Sequence, residues 1–357
     1  MATWSFTLDR GGFQTEDHRV FGDDLDRLGS DGSLLNVWSA TLAARSRTTS
    51  PRLLRARRDG RVVAAALIVI CHDWGRSFFT HPTLRRAARF APAIWYWERA
   101  GLATDALACP GLVAAGTDRS EFVGAAEGWL MRRYLLGCSI VPGVAARTAT
   151  TLPWPGLGVS TRSRPWDRSA LLGQHRNLTR KTRKFAHRGG VIEQIHGRLP
   201  TSLHAPLLAT YGLERPLNPP YIELYPAMVA AQWELDDDRA VHLVARLDGL
   251  PVGYHSFWRS GDRLSLLSGA LGRPEGGTAH AYENLLLASL DLARDLDCTT
   301  IEYGACVNAV KASLLETAPT TMTFRSLVPG ALAATALLLP RSSLAQHRID
   351  KITRAGS

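Results

Sequence analysis

The sequence contains few cysteines, and none of them is spaced as a metal site or a disulfide framework requires. The five cysteines are widely scattered, and no two of them form a C-x-x-C pair. Neither a structural zinc site nor a set of disulfide bonds is indicated, and we expect no metal in the functional site. Free thiols of this kind fit a reducing cytoplasm.

Apolar stretches long enough to cross a bilayer are also missing. The longest late run, residues 327–340, is interrupted by Pro329 and Gly330 and falls short of the ~20 residues of a spanning helix. Residues 1–10 carry Asp9 and lack the apolar region of a secretory signal. We therefore expect a cytoplasmic protein without membrane insertion, in which residues 327–357 form a helical tail.

Motifs of several large enzyme classes are absent as well. The sequence has no nucleophile elbow, no phosphate-binding P-loop and no dinucleotide fingerprint. Hydrolase, kinase and dehydrogenase functions are accordingly not indicated. With 45% hydrophobic and 21% charged residues, the 357-residue chain is typical of a globular protein of two or three domains.

A duplicated segment is the most informative feature that the sequence does contain. Residues 55–64 have the sequence RARRDGRVVA and residues 244–253 have VARLDGLPVG, with five identical positions. In both copies Asp-Gly lies between two β-prone runs, which is the strongest local signal for a hairpin because a type I′ turn needs positive φ twice. We predict the same hairpin twice, with tips at Asp59-Gly60 and Asp248-Gly249.

The similarity continues after each copy of the hairpin. Helices predicted over residues 122–133 and 282–293 each lead through a cysteine into a short strand. A repeat of about half the chain indicates two fused units rather than a solenoid, whose repeats are about 20–50 residues long. We predict a first unit over residues 1–160 and a second over residues 161–326.

Positive charge is concentrated at the start of the second unit. Residues 161–198 contain ten Arg or Lys and only two acidic residues, in a chain of net charge +10. Within this block, residues 175–187 are predicted to form a helix that ends at Gly189-Gly190. Helical spacing places Leu178, Thr182 and Phe185 on one face and cations on the other, which points to a phosphate-bearing partner. The predicted cationic face consists of Arg176, Arg180, Arg183, Lys184 and His187.

The remaining pattern predicts an alternation of helices and strands. Residues 34–45 are predicted to be helical, and residues 142–170, which are rich in proline, to be a connector. The second unit is predicted to contain a strand, two helices, the hairpin, a further strand, a glycine-containing turn, a long helix and a final strand. The predicted ranges are 191–195, 202–211, 222–234, 242–258, 264–271, 281–296 and 299–303.

This order of elements resembles the GNAT fold, a mixed sheet flanked by helices. The basic segment RNLTRKTRKFAHRGG and the closing segment IEYGACVNAVKASL more closely resemble FemABX-like transferases and acyltransferase domains of the CelD/BioF type. The resemblance covers residues 50–325 and implies an α/β fold of two tandem GNAT-like units. In that superfamily the last strand ends in an acidic–hydrophobic–glycine element followed by a lysine. The corresponding residues here are Glu302, Tyr303, Gly304 and Lys311.

The resemblance implies one of two acyl donors and no separate cofactor. FemABX-like enzymes use aminoacyl-tRNA, an activated ester, so the enzyme has to position a nucleophile and stabilise the tetrahedral oxyanion. The donor-binding residues would then be Arg176, Arg180, Arg183 and Lys184. GNAT acetyltransferases instead hold the pyrophosphate of acyl-CoA at a helix N-terminus. The residues that match their loop in part are Arg273, Gly276 and Gly277.

Lys311 is the strongest catalytic candidate. Only four of the 42 basic residues are lysine, and a compact ammonium can approach an oxyanion more closely than a planar guanidinium can. The resemblance implies that this lysine contacts the donor or the developing charge. His255 is a candidate general base because imidazole titrates near neutrality, and Glu302 and Glu283 are alternatives. The residues expected to contact substrate are Tyr254, Trp258, Ser268, Tyr282 and Tyr303.

The favoured function is transfer of an aminoacyl group from aminoacyl-tRNA to an amine of a small metabolite, as in natural-product biosynthesis. Two alternatives stay open, an acyl-CoA-dependent N-acyltransferase and a non-catalytic RNA-binding protein on a GNAT fold. The helical-hairpin insertion of cell-wall FemA enzymes is missing, which speaks against a peptidoglycan-precursor acceptor.

Overall fold

One mixed sheet of thirteen strands organises the residues that the computed structural model describes, which are 4–10, 49–71, 83, 86, 93–97, 112–114, 125–126, 129, 133, 136–142, 151–211, 225–271, 280–303 and 316–325. The first seven strands are β1 (Trp4–Arg10), β2 (Thr49–Arg58), β3 (Arg61–Cys71), β4 (Ala93–Trp97), β5 (Leu112–Ala114), β6 (Leu136–Pro142) and β7 (Thr151–Ser163). The other six are β8 (Gly190–His196), β9 (Ala240–Leu247), β10 (Leu250–Ser260), β11 (Arg263–Leu271), β12 (Thr300–Glu302) and β13 (Glu316–Arg325).

The two halves of the sheet repeat one strand order. In the first half, β1 to β4 pair antiparallel in sequence, β4 runs parallel to β6, and β6 is antiparallel to β13. In the second half, β8 to β11 pair antiparallel in sequence, β11 runs parallel to β12, and β12 is antiparallel to β7. The predicted α/β class, a mixed sheet flanked by helices, is confirmed, and the repeated strand pairing agrees with the prediction of two tandem GNAT-like units.

Each half of the sheet is completed by a strand from the other half of the chain. β7 follows β6 in sequence but pairs with β12, whereas β13 follows β12 but pairs with β6. β7 and β13 also pair with each other and join the halves. Because β7 continues across residue 160, the unit boundary placed at that residue cuts through a strand, and the domain limits stay a prediction.

Both hairpins have the predicted tips. Asp59 and Gly60 have φ angles of 52° and 81°, and Asp248 and Gly249 have φ angles of 49° and 80°. Positive φ at both central residues is the mark of a type I′ turn, whose twist matches that of the flanking strands. β2 pairs with β3 and β9 pairs with β10 directly beside these turns, so this prediction is confirmed.

The prediction of a connector over residues 142–170 is wrong for much of its length. β7 occupies Thr151–Ser163, and a helix, α1, covers Arg168–Gln174. Proline cannot donate to a strand ladder and is tolerated where the ladder is interrupted. The pairing of β7 with β13 shifts register between Trp154 and Leu157, so Pro155 lies in the bulge. The proline content here marks a bulged strand.

Four further helices agree with the predicted ranges to within a few residues. They are α2 (Arg176–His187), α3 (Thr201–Tyr211), α4 (Tyr225–Trp233) and α5 (Ala281–Asp295). The helices predicted over residues 34–45 and within 327–357 lie outside the described residues.

Helices cover both faces of β9 to β12. Helices α1, α2 and α5 form a core with one face, around Phe257, Leu285 and Tyr303. Helices α3 and α4 cover the opposite face, where the Trp233 ring meets Tyr254 edge-on at 5.0 Å between ring centres. We refer to these as the α5 face and the α4 face of the sheet.

Candidate functional site

Helix α2 exposes the predicted row of cations. Leu178 and Phe185 are buried in the core, and α2 contains no acidic residue that could neutralise its basic side chains. The exposed basic residues are Arg176, Arg180, Arg183, Lys184 and His187. The amphipathic helix is thus confirmed, and its part in donor binding stays a prediction.

Lys181 differs from the other cations of α2 because it reaches towards α5. Its Nζ donates to Glu283 Oε1 at 2.6 Å, and the two side chains are 22% and 9% exposed. A charge-assisted hydrogen bond between partly buried groups is stronger than an exposed ion pair. It fixes the basic helix against the first turn of α5, and it commits Glu283, one of the candidate bases, to an ion pair.

The N-terminus of α5 lies in the electric field of the same cations. His280 precedes the helix with φ of 61°. Partial burial lowers the pKa of His280, Glu283 opposes this shift, and Lys181, Lys184 and Arg180 lower the pKa further. The cations of α2 and the start of α5 therefore form one electropositive region. The predicted loop residues Arg273, Gly276 and Gly277, which precede α5 in sequence, lie outside the described residues.

The parallel strands β11 and β12 separate close to this region. They pair only from Arg263 to Ser265 on β11 and from Thr300 to Glu302 on β12. β12 ends at Glu302, while β11 continues to Leu271, and no described strand pairs with the β12 side of that extension. In open α/β sheets, ligands bind beyond the carboxyl ends of parallel strands where the strand order reverses. We take this opening as the candidate active site.

On the α5 face of the opening, His255 packs among aromatic rings. Its imidazole meets Tyr282 at 5.5 Å and Phe257 at 5.9 Å between ring centres, both edge-on. His255 lies opposite Gly269 of β11, where a Cβ atom would come within 2.7 Å of the imidazole. Gly269 therefore leaves the room that this ring occupies. The structure brings His255 and Tyr282 together, and a role of His255 as general base stays a prediction.

Tyr303 also lies on the α5 face and is fully buried. Its hydroxyl shares a 2.6 Å hydrogen bond with Ser289 Oγ of α5. Burial raises the pKa of Tyr303, with the hydrogen bond between Tyr303 and Ser289 opposing the shift. The phenol is therefore protonated at neutral pH and ties the end of β12 to α5.

On the α4 face, Glu302 and Ser268 lie along the edge of the opening. Glu302 pairs with Ser265 and is 3.4 Å from Arg263 Nη1. Since side chains alternate along a strand, Glu302 points away from Tyr303, which belongs to the core of the α5 face. Ser268 lies further along β11, directly opposite Ser256. Two other predicted residues, Tyr254 and Trp258, flank Ser256 on this face of β10.

A buried hydrogen-bonded chain runs through the same layer. Trp233 Nε1 donates to Ser256 Oγ at 3.0 Å, Ser256 Oγ lies 2.8 Å from His242 Nδ1, and His242 Nε2 lies 3.0 Å from the Gly197 carbonyl oxygen. Because a carbonyl only accepts, Nε2 carries the proton and Nδ1 accepts from the Ser256 hydroxyl. Burial lowers the pKa of His242 from 6.5 to about 4, so the imidazole is neutral at pH 7.

An open cleft of about 660 Å³ lies at the other end of α5 and is separate from this site. It is lined by residues 164–169 together with Asp291, Arg294 and Asp297. Its cations are paired with its acids, since Arg168 contacts Asp291 at 2.6 Å and Arg164 pairs with Asp297. A cleft whose charges are balanced in this way does not attract a polyanion.

The structure thus collects most of the predicted residues around one opening but divides them between two faces. His255, Tyr282 and Tyr303 lie on the α5 face, and Tyr254, Trp258, Ser268 and Glu302 lie on the α4 face. Lys311 lies outside the described residues. Within the described ranges, no group of three or more His, Cys, Asp or Glu side chains could hold a metal ion, and no helix is long and apolar enough to span a bilayer.

Sequence reasoning missed the polar layer beneath α4. His242 and Ser256 stand among apolar residues of separate strands, and only the register of the hairpin places them opposite each other. Gln232, which is buried beside Trp233, carries no sequence signal of its own. Lys181 does carry one, because it is one of only four lysines in the chain.

Strand order, flanking helices and the diverging parallel pair define a protein of tandem GNAT-like fold. No family model and no curated protein matches the sequence. Among solved structures, the C-terminal domain of a candidate lysylphosphatidylglycerol synthetase from Agrobacterium fabrum matches with a TM-score of 0.55 and 12% identity, over 92% of this chain and 97% of that one. FemX matches with a TM-score of 0.53 and 11% identity, over 92% of this chain and 99% of its own. At these identities the likeness establishes the fold alone.

Proposed function

We propose that the protein transfers an aminoacyl group from aminoacyl-tRNA to an amine of a small acceptor molecule in the cytoplasm. The observation that carries the proposal is the exposed cationic face of α2, which lies beside the N-terminus of α5 and the opening between β11 and β12. A polyphosphate donor requires such a surface, because phosphate contacts supply most of the affinity for nucleic acids. The resemblance of the sequence to FemABX-like transferases supports the same donor.

In the proposed reaction, the acceptor nitrogen attacks the carbonyl carbon of the aminoacyl ester. A C–N bond forms, and a tetrahedral oxyanion develops, which Lys311 stabilises. Collapse of this intermediate breaks the ester C–O bond, and the tRNA leaves as a free hydroxyl. The amine proton passes through a general base to that leaving oxygen, so that atoms and charge balance.

We assign the general base to Glu302. This residue lies at the end of β12, where the parallel strands separate. Glu283 is held by Lys181 at 2.6 Å, and His255 is enclosed between two rings, whereas the contact of Glu302 with Arg263 is longer, at 3.4 Å. Glu302 is the candidate base at the edge of the opening on the same face as Ser268.

The position of Glu283 favours a tRNA donor over acyl-CoA. A helix N-terminus binds pyrophosphate because its free N–H groups and its dipole attract anions. In α5 the carboxylate of Glu283 already occupies the first turn and engages Lys181. A pyrophosphate at this point would have to compete with the Glu283 carboxylate for the helix N-terminus and for Lys181.

The test supplies the protein with total tRNA charged with labelled amino acids, and separately with acyl-CoA, in the presence of a panel of amines. Transfer of label from tRNA to an amine supports the proposal, and transfer only from acyl-CoA contradicts it. RNA binding without transfer from either donor would favour a non-catalytic RNA-binding protein. Vesicles of phosphatidylglycerol are included as an acceptor because one structural neighbour is named as a lysylphosphatidylglycerol synthetase.

A further inference from the structure

Buried polar atoms without a hydrogen-bond partner within the described residues occur both in α4 and on the face of the sheet that it covers. They are Gln232 Nε2 and Ser268 Oγ, in side chains that are 1% and 0% exposed. Buried polar atoms without partners cost stability, and folded proteins contain few of them. When they occur in a native protein, a bound ligand is one physical reason for retaining them.

Gln232 belongs to α4, the helix that packs on the face of the sheet where Ser268 lies. Trp233, which follows Gln232 in α4, donates to Ser256 Oγ, and Ser256 lies directly opposite Ser268 on the sheet. Opposite side chains on one face have Cβ atoms about 5 Å apart. The neighbouring chain from Trp233 through Ser256 and His242 to Gly197 is fully bonded.

Ser268 also stands at the edge of the candidate active site. Ser268 is beyond the last paired residues of β11 and β12, on the same face as Glu302. Ser268 is separated from Ser265, the partner of Glu302, by about 10 Å along the strand. A ligand that bridges this span would place one end at Ser268 and the other at the proposed base.

The chemistry of the two groups limits what they can bind. An amide N–H needs a hydrogen-bond acceptor, whereas a serine hydroxyl can donate or accept. Neither group carries charge, and two arginines on this side of the sheet are engaged with acids, Arg239 with Asp237 and Arg263 with Glu302. A carboxylate buried here would lack a counter-charge, which is costly. An uncharged carbonyl or hydroxyl oxygen satisfies both side chains.

We infer that Gln232 and Ser268 form a specificity subsite for an uncharged oxygen-bearing group of the acceptor, a few bonds away from its nucleophilic amine. The inference rests on the proposed function for the identity of the ligand as the acceptor. It makes Gln232 and Ser268 binding residues that select among amines, and it leaves the proton transfer to Glu302.

The first test compares two serines that face each other across β10 and β11. Ser256→Ala removes a bonded hydroxyl and should lower the urea concentration at the midpoint of unfolding. Ser268→Ala removes a hydroxyl without a partner and should leave that midpoint unchanged or raise it. Equal destabilisation by both substitutions would overturn the inference, because Ser268 would then have a structural partner such as a buried water. This measurement needs no donor and no activity.

The second test uses three acceptor probes of matched length, 4-aminobutanamide, 4-aminobutanoate and butylamine. We expect kcat/KM for the amide to exceed the values for the other two by about tenfold or more, as two neutral hydrogen bonds allow. Ser268→Ala and Gln232→Leu should each bring the ratio of amide to butylamine towards one. A wild-type protein that does not favour the amide would refute the subsite.

Binding of the same probes without donor separates the two proposals. Calorimetry should show tighter binding of 4-aminobutanamide than of butylamine to the wild type, and no difference between them for the double variant Gln232→Leu, Ser268→Ala. If this preference is found but no aminoacyl transfer occurs, the proposed function fails and the subsite stands. If transfer occurs without any preference in binding or rate, the subsite fails and the proposed function stands.

Discussion

Burial of a single histidine, His242, makes the stability of the protein depend on pH. Its pKa is lowered from 6.5 to about 4 in the folded protein, so the unfolded chain binds the proton more readily between these values. The contribution of His242 to the free energy of unfolding is complete above about pH 6.5 and is lost progressively as the pH falls to 4. The full loss amounts to about 3 kcal/mol, measurable by urea unfolding between pH 7 and 4.5.

The substitution His242→Gln provides the control for this prediction. Its amide can still donate to the Gly197 carbonyl oxygen, but it does not titrate in this range. The variant should be less stable than the wild type at pH 7 and should show a flatter dependence on pH. A variant whose stability falls with pH as steeply as that of the wild type would assign the effect to other groups.

Substitution of Lys311 tests the chemistry of the proposed reaction most directly. If its ammonium stabilises the oxyanion, it acts in the transition state, so its loss lowers turnover more than ground-state binding. We expect Lys311→Ala to lose on the order of 10²-fold or more in single-turnover transfer. Lys311→Arg should recover little, because a guanidinium cannot take the same compact position. Activity of Lys311→Ala within about twofold of wild type would remove this residue from the site.

At the scale of an element, α2 should determine the salt dependence of tRNA binding. Its exposed cations predict a slope of log K against log[salt] steeper than about −3. Replacing Arg176, Arg180 and Arg183 by alanine should flatten the slope by about two to three units. Filter binding or fluorescence anisotropy between about 50 and 300 mM salt measures this slope.

A second triple variant separates the effect of where the arginines lie from the effect of net charge. Arg164, Arg168 and Arg294 are also three arginines, but they are paired with acids in the cleft at the far end of α5. Their replacement by alanine removes the same number of positive charges. This variant should leave the slope close to the wild-type value, and equal effects of the two variants would mean that total charge, not α2, controls binding.

The elements that sequence patterns predict well are those with strong local signals. The Asp-Gly tips need positive φ at both positions, and α2 has an apolar stripe and a glycine stop, so both are found where predicted. β7 was missed because prolines suggest a loop unless the register shift that accommodates them is known. β13 pairs with β6 and β7, which lie more than 150 residues earlier in the chain, and no local pattern reveals these partners.

The residues of the candidate site likewise differ in how well sequence patterns predict them. Helical spacing alone predicts the exposed cations of α2. Gln232 and the bonded group of His242 and Ser256 depend on the pairing of β9, β10 and β11 and on the packing of α4 above them. Such contacts arise between residues distant in sequence, so the composition of each segment does not predict them.

At the scale of the whole molecule, the exchange of β7 and β13 predicts that the chain cannot be divided at residue 160. A fragment of residues 161–357 keeps residues 161–163 of β7, which pair with β12, but loses residues 151–160, which supply nearly all of its pairing with β13. A fragment of residues 148–357 retains β7 and hence the complete second half of the sheet. We expect the longer fragment to unfold cooperatively in urea and the shorter one not to do so.

This pair of fragments also tests the predicted boundary between the units. Cooperative unfolding of residues 161–357 alone would show that the boundary at residue 160 is a true domain limit and that β7 is dispensable. If neither fragment unfolds cooperatively, the first half of the sheet is needed to stabilise the second.

The exchanged strands also bear on how the protein is made in the cell. A ribosome releases β6 long before β13, yet Pro142 of β6 pairs with Thr320 of β13. Throughout synthesis of the second half, the edge of β6 that β13 will cover therefore lacks its partner, and an uncovered strand edge is a template for aggregation. We therefore expect the nascent chain to be most prone to aggregation in the interval before β13 has emerged.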